Sequence, residues 1–152
     1  MIFSKSCIYG LRAAVFIALS QSSNSFVSIK QISDNLNISF HFLTKILQIL
    51  TQKNLLVSFR GPKGGVKLSR PPDQITLKEL VEAIDGPDIF ESCVLGLPGC
   101  GDDAPCPLHE QWSAIRRSLN YAFENTTLEE LAKNTQRFNL RLTDLNSNDY
   151  QS

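Results

Sequence analysis

The first part of the chain arranges apolar and polar residues in a pattern that predicts three helices. Residues 5–20 carry apolar side chains at the three- and four-residue spacing of an amphipathic helix, with Ser4 as a candidate N-cap. A short helix is predicted to follow Ser28, and a longer one to follow Ser39, with each serine as the candidate N-cap of its helix. Between them, Asn37 permits a sharp turn, because asparagine tolerates left-handed backbone better than most residues. Two helices joined by such a turn form a helix-turn-helix unit.

A β-hairpin is predicted directly after the third helix. Residues 55–59 have the composition of a strand, and apolar and polar side chains alternate over residues 66–69, as in a half-buried return strand. The basic turn between them contains Gly61, Gly64 and Gly65, which let the chain bend tightly and approach another backbone closely. A hairpin that follows a helix-turn-helix is a wing, so this segment favours a winged-helix fold.

In the second half of the chain, further helices are predicted on both sides of a loop. Thr76 is a candidate N-cap for a helix that ends at Gly86. Residues 92–107 are rich in glycine, proline and cysteine, which predicts a loop. A last short helix is expected after Thr126 or Thr127.

A long helix is predicted from about Pro107, with apolar residues spaced four, three, four and three apart. That spacing is typical of a coiled-coil seam, which packs against a partner helix. We therefore expect this helix to hold two copies of the chain together. The predicted dimer interface consists of Leu108, Trp112, Ile115, Leu119 and Ala122.

These elements predict a mainly α fold with a small β-hairpin: a winged helix-turn-helix followed by a long C-terminal dimerisation helix. Residues 1–72 form the predicted winged helix-turn-helix domain, and residues 73–91 form a connecting helix. Residues 92–107 are the cysteine-rich loop, and residues 108–134 hold the dimerisation helix and a short terminal helix. Residues 135–152 are a polar tail that we expect to be disordered.

The charges of the chain are divided between its two halves, although they sum to zero. Residues 1–70 carry nine basic groups and one acidic group, a net charge of +8, and residues 71–152 carry a net charge of −8. A basic module favours a polyanionic partner, and binding to double-stranded DNA gains from counterion release. The alternative is that both charged faces are merely solvated.

Composition excludes two classes of protein. With 42% hydrophobic and 20% charged residues, the chain is not disordered as a whole. It has no run of about 18 apolar residues, the length that spans a membrane. Its most apolar stretch, residues 8–19, contains Arg12 and lacks the flanks of a secretory signal. We therefore expect a cytoplasmic protein.

The third helix has the position of a recognition helix, whose N-terminal residues contact base edges in the major groove. Gln48 suits adenine, and Thr44 offers a hydroxyl or a methyl group. In the wing, Arg60 suits a narrow minor groove and Lys63 suits the neighbouring phosphates. Alternatively the wing is an ordinary solvated turn, and His41 makes no base contact. The predicted DNA-binding residues are Ser28, Lys30, Ser39, His41, Thr44, Lys45, Gln48, Arg60, Gly61 and Lys63.

Three cysteines and a histidine, Cys93, Cys100, Cys106 and His109, follow the pattern C-x6-C-x5-C-x2-H. Thiolate and imidazole are ligands for zinc and for iron–sulfur clusters. A zinc ribbon would have paired C-x2-C motifs, which are absent, so the wide spacing favours an iron–sulfur cluster. Zinc, free thiols and a disulfide remain alternatives. Cys7, in the first helix, is predicted to be a small buried apolar side chain.

Taken together, the motifs resemble the family of winged-helix transcription regulators that includes the iron–sulfur cluster regulator (IscR) and the nitric-oxide-sensitive repressor (NsrR). The resemblance covers about residues 1–134 and is most specific in the wing and the three cysteines. The matching stretches are Tyr9-Gly10-Leu11-Arg12-Ala13-Ala14, Ile38-Ser39, Leu55-Leu56-Val57-Ser58-Phe59-Arg60-Gly61-Pro62-Lys63-Gly64-Gly65, Ile84-Asp85-Gly86, the cysteine loop and Thr127-Leu128-Glu129-Glu130-Leu131.

The resemblance implies a homodimer held by the long helices, an iron–sulfur cluster on the three cysteines, and DNA affinity set by the state of that cluster. Here the first gap between cysteines is six residues, where the family often has five. His109 resembles the histidine of the 2Fe–2S branch, whereas Ile8 stands where 4Fe–4S members have an acidic ligand. A 2Fe–2S cluster is favoured, with 4Fe–4S as the alternative. Because Thr44 replaces a glutamate of the IscR branch, no operator sequence is implied.

The sequence therefore predicts a DNA-binding transcriptional regulator that senses redox state, iron–sulfur status or nitric oxide through an iron–sulfur cluster. One alternative is a metal-free winged-helix regulator that switches through cysteine thiols and disulfides. Another is a scaffold whose winged helix binds a protein. We do not expect an enzyme, because the sequence contains neither a candidate acid/base pair nor a phosphate-binding glycine loop.

Overall fold

The computed structural model describes residues 2–20 and 25–144 of the 152-residue chain. The described part is mostly helical with one two-stranded antiparallel sheet, which confirms the predicted fold class. A single 3-10 turn, Pro72–Gln74, follows the sheet. The elements are α1 (Lys5–Leu19), α2 (Ile29–Leu36), α3 (Phe40–Gln52), β1 (Leu56–Phe59), β2 (Gly65–Leu68), α4 (Leu77–Asp85), α5 (Asp88–Glu91), α6 (His109–Asn125) and α7 (Leu128–Arg137).

Polar caps set the starts of α1 and α2, as predicted. The Ser4 hydroxyl accepts the backbone N–H of Cys7, and the Ser28 hydroxyl accepts that of Gln31. Asn37 ends α2 in the left-handed conformation, with φ of 53°. Ser39 precedes α3 but makes no side-chain capping hydrogen bond, so its predicted capping role is not realised.

The wing is attached to the start of α2 through backbone hydrogen bonds. Val27 and Val66 exchange N–H···O bonds of 2.8 Å in both directions, which adds a bridge beside β2. The neighbouring Gly65 has φ of 153°, and a Cβ atom there would collide with the carbonyl group of Val27. Only glycine allows this close approach, and the wing therefore keeps a fixed position relative to α2.

One apolar core joins the helix-turn-helix, the wing and α7. Its fully buried side chains come from α1, α2, α3, β2, α4 and α7 and from the segment before α4. They include Ile17, Ile32, Leu43, Leu47, Leu50, Val66, Ile75 and Leu128. Since α3 buries Leu43, Ile46, Leu47 and Leu50 on one face, its opposite face remains at the surface.

A smaller apolar cluster fixes α6 to the rest of the protein. Cys7, Val81 and Phe90 are buried in it, and Leu119 and Phe123 of α6 pack against them. Helix α4 in turn contacts α1, α3 and α6, so it lies between α3 and the long helix α6.

The predicted polar tail, residues 135–152, is only partly covered by the described residues. Helix α7 extends to Arg137, three residues into that tail. Further along, Leu142 packs against the main core and Asp144 forms an ion pair with Arg12 at 3.4 Å. The remainder of the predicted tail, residues 145–152, lies outside the described residues.

Within residues 2–20 and 25–144, every helix is too short or too polar to cross a membrane.

Candidate nucleic-acid interface and metal centre

A groove of about 670 Å³ lies between the exposed face of α3, the start of α2 and the wing. It brings together six of the ten residues predicted to bind DNA: Ser28, Lys30, Thr44, Gln48, Arg60 and Gly61. The other four, Ser39, His41, Lys45 and Lys63, are exposed at the surface but do not line the groove. The predicted DNA-binding residues therefore form two groups, one that lines the groove and one that lies on the surface around it.

The hydroxyl of Thr44, which was predicted to be available for a base contact, already makes a hydrogen bond within its own helix. It donates a hydrogen bond of 2.7 Å to the carbonyl oxygen of Phe40, one turn earlier in α3. Its proton is therefore engaged within the helix, which leaves the oxygen as an acceptor and the methyl group as an apolar contact.

The predicted DNA-binding set omits two aromatic rings that line the groove. Phe40 begins α3, and Phe59, which is 57% exposed, ends β1. The Phe59 ring lies 5.3 Å from that of Phe26, and the ammonium group of Lys67 lies 5.0 Å from the Phe26 ring. The sequence did contain a signal for these two rings. Phe40 and Phe59 are apolar residues at positions where the helical and strand patterns predict an exposed polar side chain.

The three loop cysteines lie together as predicted. All pairs among the Sγ atoms of Cys93, Cys100 and Cys106 fall within 4.8 Å. The Sγ atoms of Cys93 and Cys106 are 3.5 Å apart, well beyond the roughly 2.05 Å of a disulfide bond, so the thiols are free. Each side chain is half-buried, which keeps the group within reach of solvent.

His109, the first residue of α6, points one ring nitrogen at this group. Its Nδ1 atom lies 3.6 Å from the Sγ atom of Cys100, and its Nε2 atom lies 3.0 Å from Oδ1 of Asp102. The histidine therefore faces the pocket, although within the described residues the group of mutually close ligand atoms contains the three cysteines alone.

The surroundings separate the pKa values of two of the thiols. The backbone N–H of Leu97, which hydrogen-bonds the thiolate, lowers the pKa of Cys93 to about 7. At Cys100, a backbone hydrogen bond at Cys106 lowers the pKa, but burial and the neighbouring thiols outweigh it, so the pKa is raised. Cys93 is thus the first of these two to form a thiolate, the form that binds metal.

Two side chains of α6 hold the beginning of the cysteine loop. The indole Nε1 of Trp112 donates a hydrogen bond of 2.9 Å to the carbonyl oxygen of Ser92. Arg116 donates from Nη1 to the carbonyl oxygens of Glu91, at 2.9 Å, and of Ser92, at 3.2 Å. The beginning of the loop is therefore attached to α6 by three hydrogen bonds.

The predicted coiled-coil seam divides into two faces in the folded chain. Leu119 packs inward against the small cluster, and Trp112 turns its indole to the loop. Leu108, Ile115 and Ala122 remain exposed, with Ile115 56% exposed. The sequence pattern alone does not separate these faces, because α6 uses adjacent positions for both.

The donor chemistry of the pocket fits an iron–sulfur cluster. Three thiols and an imidazole nitrogen with its own hydrogen-bond partner form a soft donor set that suits iron. Cys7 takes no part in it. This residue is fully buried, as predicted, and burial together with nearby Asp85 raises its pKa to about 12.

Residues 3–134 match the Rrf2 family, which is described as iron-dependent transcriptional regulators. The chain belongs to this family. NsrR of Oceanobacillus iheyensis is 30% identical over 129 residues, which are 84% of this chain and 87% of that protein. IscR of Cereibacter sphaeroides is 30% identical over 132 residues, which are 85% of each chain.

Among solved structures, that of CymR, the global cysteine regulator of Bacillus subtilis, superposes with a TM-score of 0.74 and 30% identity. The match covers 86% of this chain and 95% of CymR. Rrf2 membership confirms the predicted family, and it assigns the chain to transcriptional regulators rather than enzymes.

Proposed function

We propose that this Rrf2 protein is a homodimeric DNA-binding regulator whose affinity for DNA depends on an iron–sulfur cluster, with 2Fe–2S favoured. Cys93, Cys100 and Cys106 would hold the cluster, with His109 as the fourth ligand. The carrying observation is the convergence of three thiol sulfur atoms within 4.8 Å on a loop whose first residue is hydrogen-bonded to α6.

The DNA-binding half of the proposal rests on shape and charge. The groove beside α3 presents Gln48 for base contacts and Arg60 for a minor groove, within a segment of net charge +8. Neutralising phosphates releases counterions, so binding should weaken as the salt concentration rises. If the winged helix instead bound a protein, this salt-dependent binding to DNA would not be observed.

Coupling between the loop and the groove runs through packed elements. Trp112 and Arg116 attach the loop to α6, the cluster around Val81 attaches α6 to α4, and α4 contacts α3. An iron–sulfur cluster bound at this site would respond to the signal, because oxidants and nitric oxide react with such clusters and the iron supply determines whether one is present. A coupling of about 1–3 kcal/mol through this path would change DNA affinity roughly 5- to 150-fold.

The outer face of α6 supports the homodimer. Leu108, Ile115 and Ala122 follow at seven-residue intervals and stay exposed in the single chain. Apolar residues at this interval suit pairing with the same helix of a second copy.

The test is purification without oxygen, followed by absorbance and Mössbauer spectroscopy and by DNA binding of the same sample. We expect a coloured, iron-containing protein whose affinity for promoter fragments changes when the cluster is removed. A colourless, iron-free protein that cannot be reconstituted would contradict the cluster, and salt-independent binding to random duplex DNA would contradict the DNA-binding role.

A second candidate function is a thiol switch, which the 3.5 Å separation of the Cys93 and Cys106 sulfur atoms favours. Hydrogen peroxide would oxidise these two thiols to one disulfide and be reduced to two molecules of water. Mass spectrometry of thiols before and after peroxide treatment of iron-free protein distinguishes the two candidates. A reversible Cys93–Cys106 disulfide that changes DNA affinity would support the switch.

A further inference from the structure

A tight turn over residues 101–104 presents two neighbouring carboxylates, of which one is engaged. The backbone N–H of Ala104 donates to the carbonyl oxygen of Gly101 at 3.2 Å, which closes the turn. At its corner, Oδ1 of Asp102 lies 3.0 Å from Nε2 of His109. The adjacent Asp103 makes no hydrogen bond or ion pair with any residue in the described ranges.

The contact with Asp102 decides which nitrogen of His109 carries the proton. A carboxylate only accepts hydrogen bonds, so the partner nitrogen Nε2 must carry the hydrogen. In a neutral imidazole, Nδ1 then has a free lone pair, and this atom lies 3.6 Å from the Cys100 sulfur. Ser113 Oγ, at 3.5 Å from Nε2, is farther away and can either donate or accept, so it does not select the tautomer.

Asp102 has no evident role in holding the fold together. Its side chain is fully exposed, and exposed ion pairs contribute little to stability, whereas the His109 side chain is only 16% exposed. The carboxylate therefore acts on a half-buried ring from the solvent side. Its effect should appear at the imidazole rather than in the folding of the chain.

We propose that Asp102 is a positioning residue for the metal centre. Its carboxylate accepts the Nε2–H of His109, which fixes the ring orientation and presents the Nδ1 lone pair to the pocket formed by the three thiols. Carboxylates that hydrogen-bond a ligating histidine raise its basicity, and their loss lowers metal affinity about 10- to 100-fold. This inference extends the proposed function, since it concerns the fourth ligand of the same site.

The first experiment observes the imidazole without any metal. Proton–nitrogen NMR on reduced, metal-free protein detects the ring protons of the two histidines, with His41 as the internal reference. We expect a slowly exchanging Nε2-bound proton on His109 in the wild type and in Asp103→Ala, and its loss to rapid exchange in Asp102→Ala. A proton on Nδ1 in the wild type, or an unchanged signal in Asp102→Ala, would overturn the proposal.

The second experiment measures iron retention. Each variant is reconstituted anaerobically with ferrous iron and sulfide and then exposed to an iron chelator, and its reduction potential is recorded. We expect Asp102→Ala to lose iron about 10- to 100-fold faster than the wild type, with a shifted potential, and Asp103→Ala to match the wild type. Equal rates in both variants would overturn the inference. If the wild type takes up no iron, the proposed function fails, while the NMR experiment still decides the role of Asp102.

Discussion

Trp112 of α6 donates a hydrogen bond of 2.9 Å to the carbonyl oxygen of Ser92, the residue immediately before Cys93. Arg116, one helical turn later, donates to the same oxygen. The long helix thus holds the cysteine loop beside Cys93, the first of its three cysteines, from a face adjacent to its exposed apolar residues.

Removing these hydrogen bonds should disconnect the loop from α6. The double variant Trp112→Phe, Arg116→Gln keeps an aromatic ring but loses three bonds, each worth about 0.5–1.5 kcal/mol. We expect it to retain iron, because all proposed ligands remain, while the difference in DNA affinity between loaded and cluster-free protein decreases severalfold. Fluorescence anisotropy with labelled promoter DNA measures this difference.

The matched control for that variant is Arg117→Gln, since Arg117 is exposed and has no hydrogen bond or ion pair within the described part of the chain. It should behave as the wild type. If the double variant responds to cluster removal as strongly as this control does, the proposed coupling path is wrong.

The wing should contribute an electrostatic share of DNA binding. We expect Arg60→Ala and Lys63→Ala each to weaken binding and to reduce the slope of log affinity against log salt by about 1 where the lost contact is to a phosphate. Lys133→Ala removes the same charge from α7, outside the groove, and should leave the slope unchanged. Unchanged slopes in both wing variants would refute the assignment.

Dimerisation should depend on the outer face of α6. Ile115→Asp places a charge in the proposed interface, so we expect a monomer in analytical ultracentrifugation with the helical circular dichroism of the wild type. Arg117→Asp lies two residues further, about 200° around the helix, and should remain dimeric. A dimeric Ile115→Asp protein would place the interface elsewhere.

Two wing glycines with positive φ should differ in their tolerance of alanine. At Gly65 an added Cβ collides with the Val27 backbone, whereas at Gly61 it meets no atom within 4 Å. Both changes strain the backbone by about 1 kcal/mol or more, but Gly65→Ala must also displace the wing from α2. We expect a clearly lower thermal midpoint for Gly65→Ala than for Gly61→Ala. Equal midpoints would mean that the Val27–Val66 bridge contributes nothing.

Cys7 should resist alkylation in the folded protein. Burial raises its pKa from 9.0 to about 12, which lowers its thiolate fraction near neutral pH about a thousandfold. At pH 8, we expect iodoacetamide to modify the three loop cysteines of metal-free protein, and Cys7 only after denaturation. Mass spectrometry locates the label, and rapid native modification of Cys7 would contradict its burial.

The helical and hairpin elements were predictable because their signals are local. Ser4, Ser28 and Asn37 mark helix boundaries through hydrogen bonds and backbone preferences that involve near neighbours. Ser39 has the same sequence signal but makes no capping bond, and its backbone, with φ of −51° and ψ of 129°, departs from the extended conformation of the two serines that do.

Features that depend on packing between distant parts of the chain were harder to predict from the sequence. The chain spacing of the cysteines indicated one shared pocket, and the Sγ distances agree. Nothing in the spacing revealed that Trp112 and Leu119 face inward while Ile115 faces out, because the small apolar cluster comes from three other helices. The contact of Asp102 with His109 likewise depends on a turn whose shape the sequence does not specify.

Helix α6 contacts the cysteine loop through Trp112 and Arg116 and exposes apolar residues on an adjacent face, where we propose that a second copy packs. In a dimer joined through that face, only the two paired α6 helices would separate the two cysteine loops. Loss of a cluster in one subunit would then alter the energy of losing the second. Where loss of the first cluster makes loss of the second easier, the response to the signal would be sigmoidal rather than hyperbolic, and half-loaded dimers would be scarce.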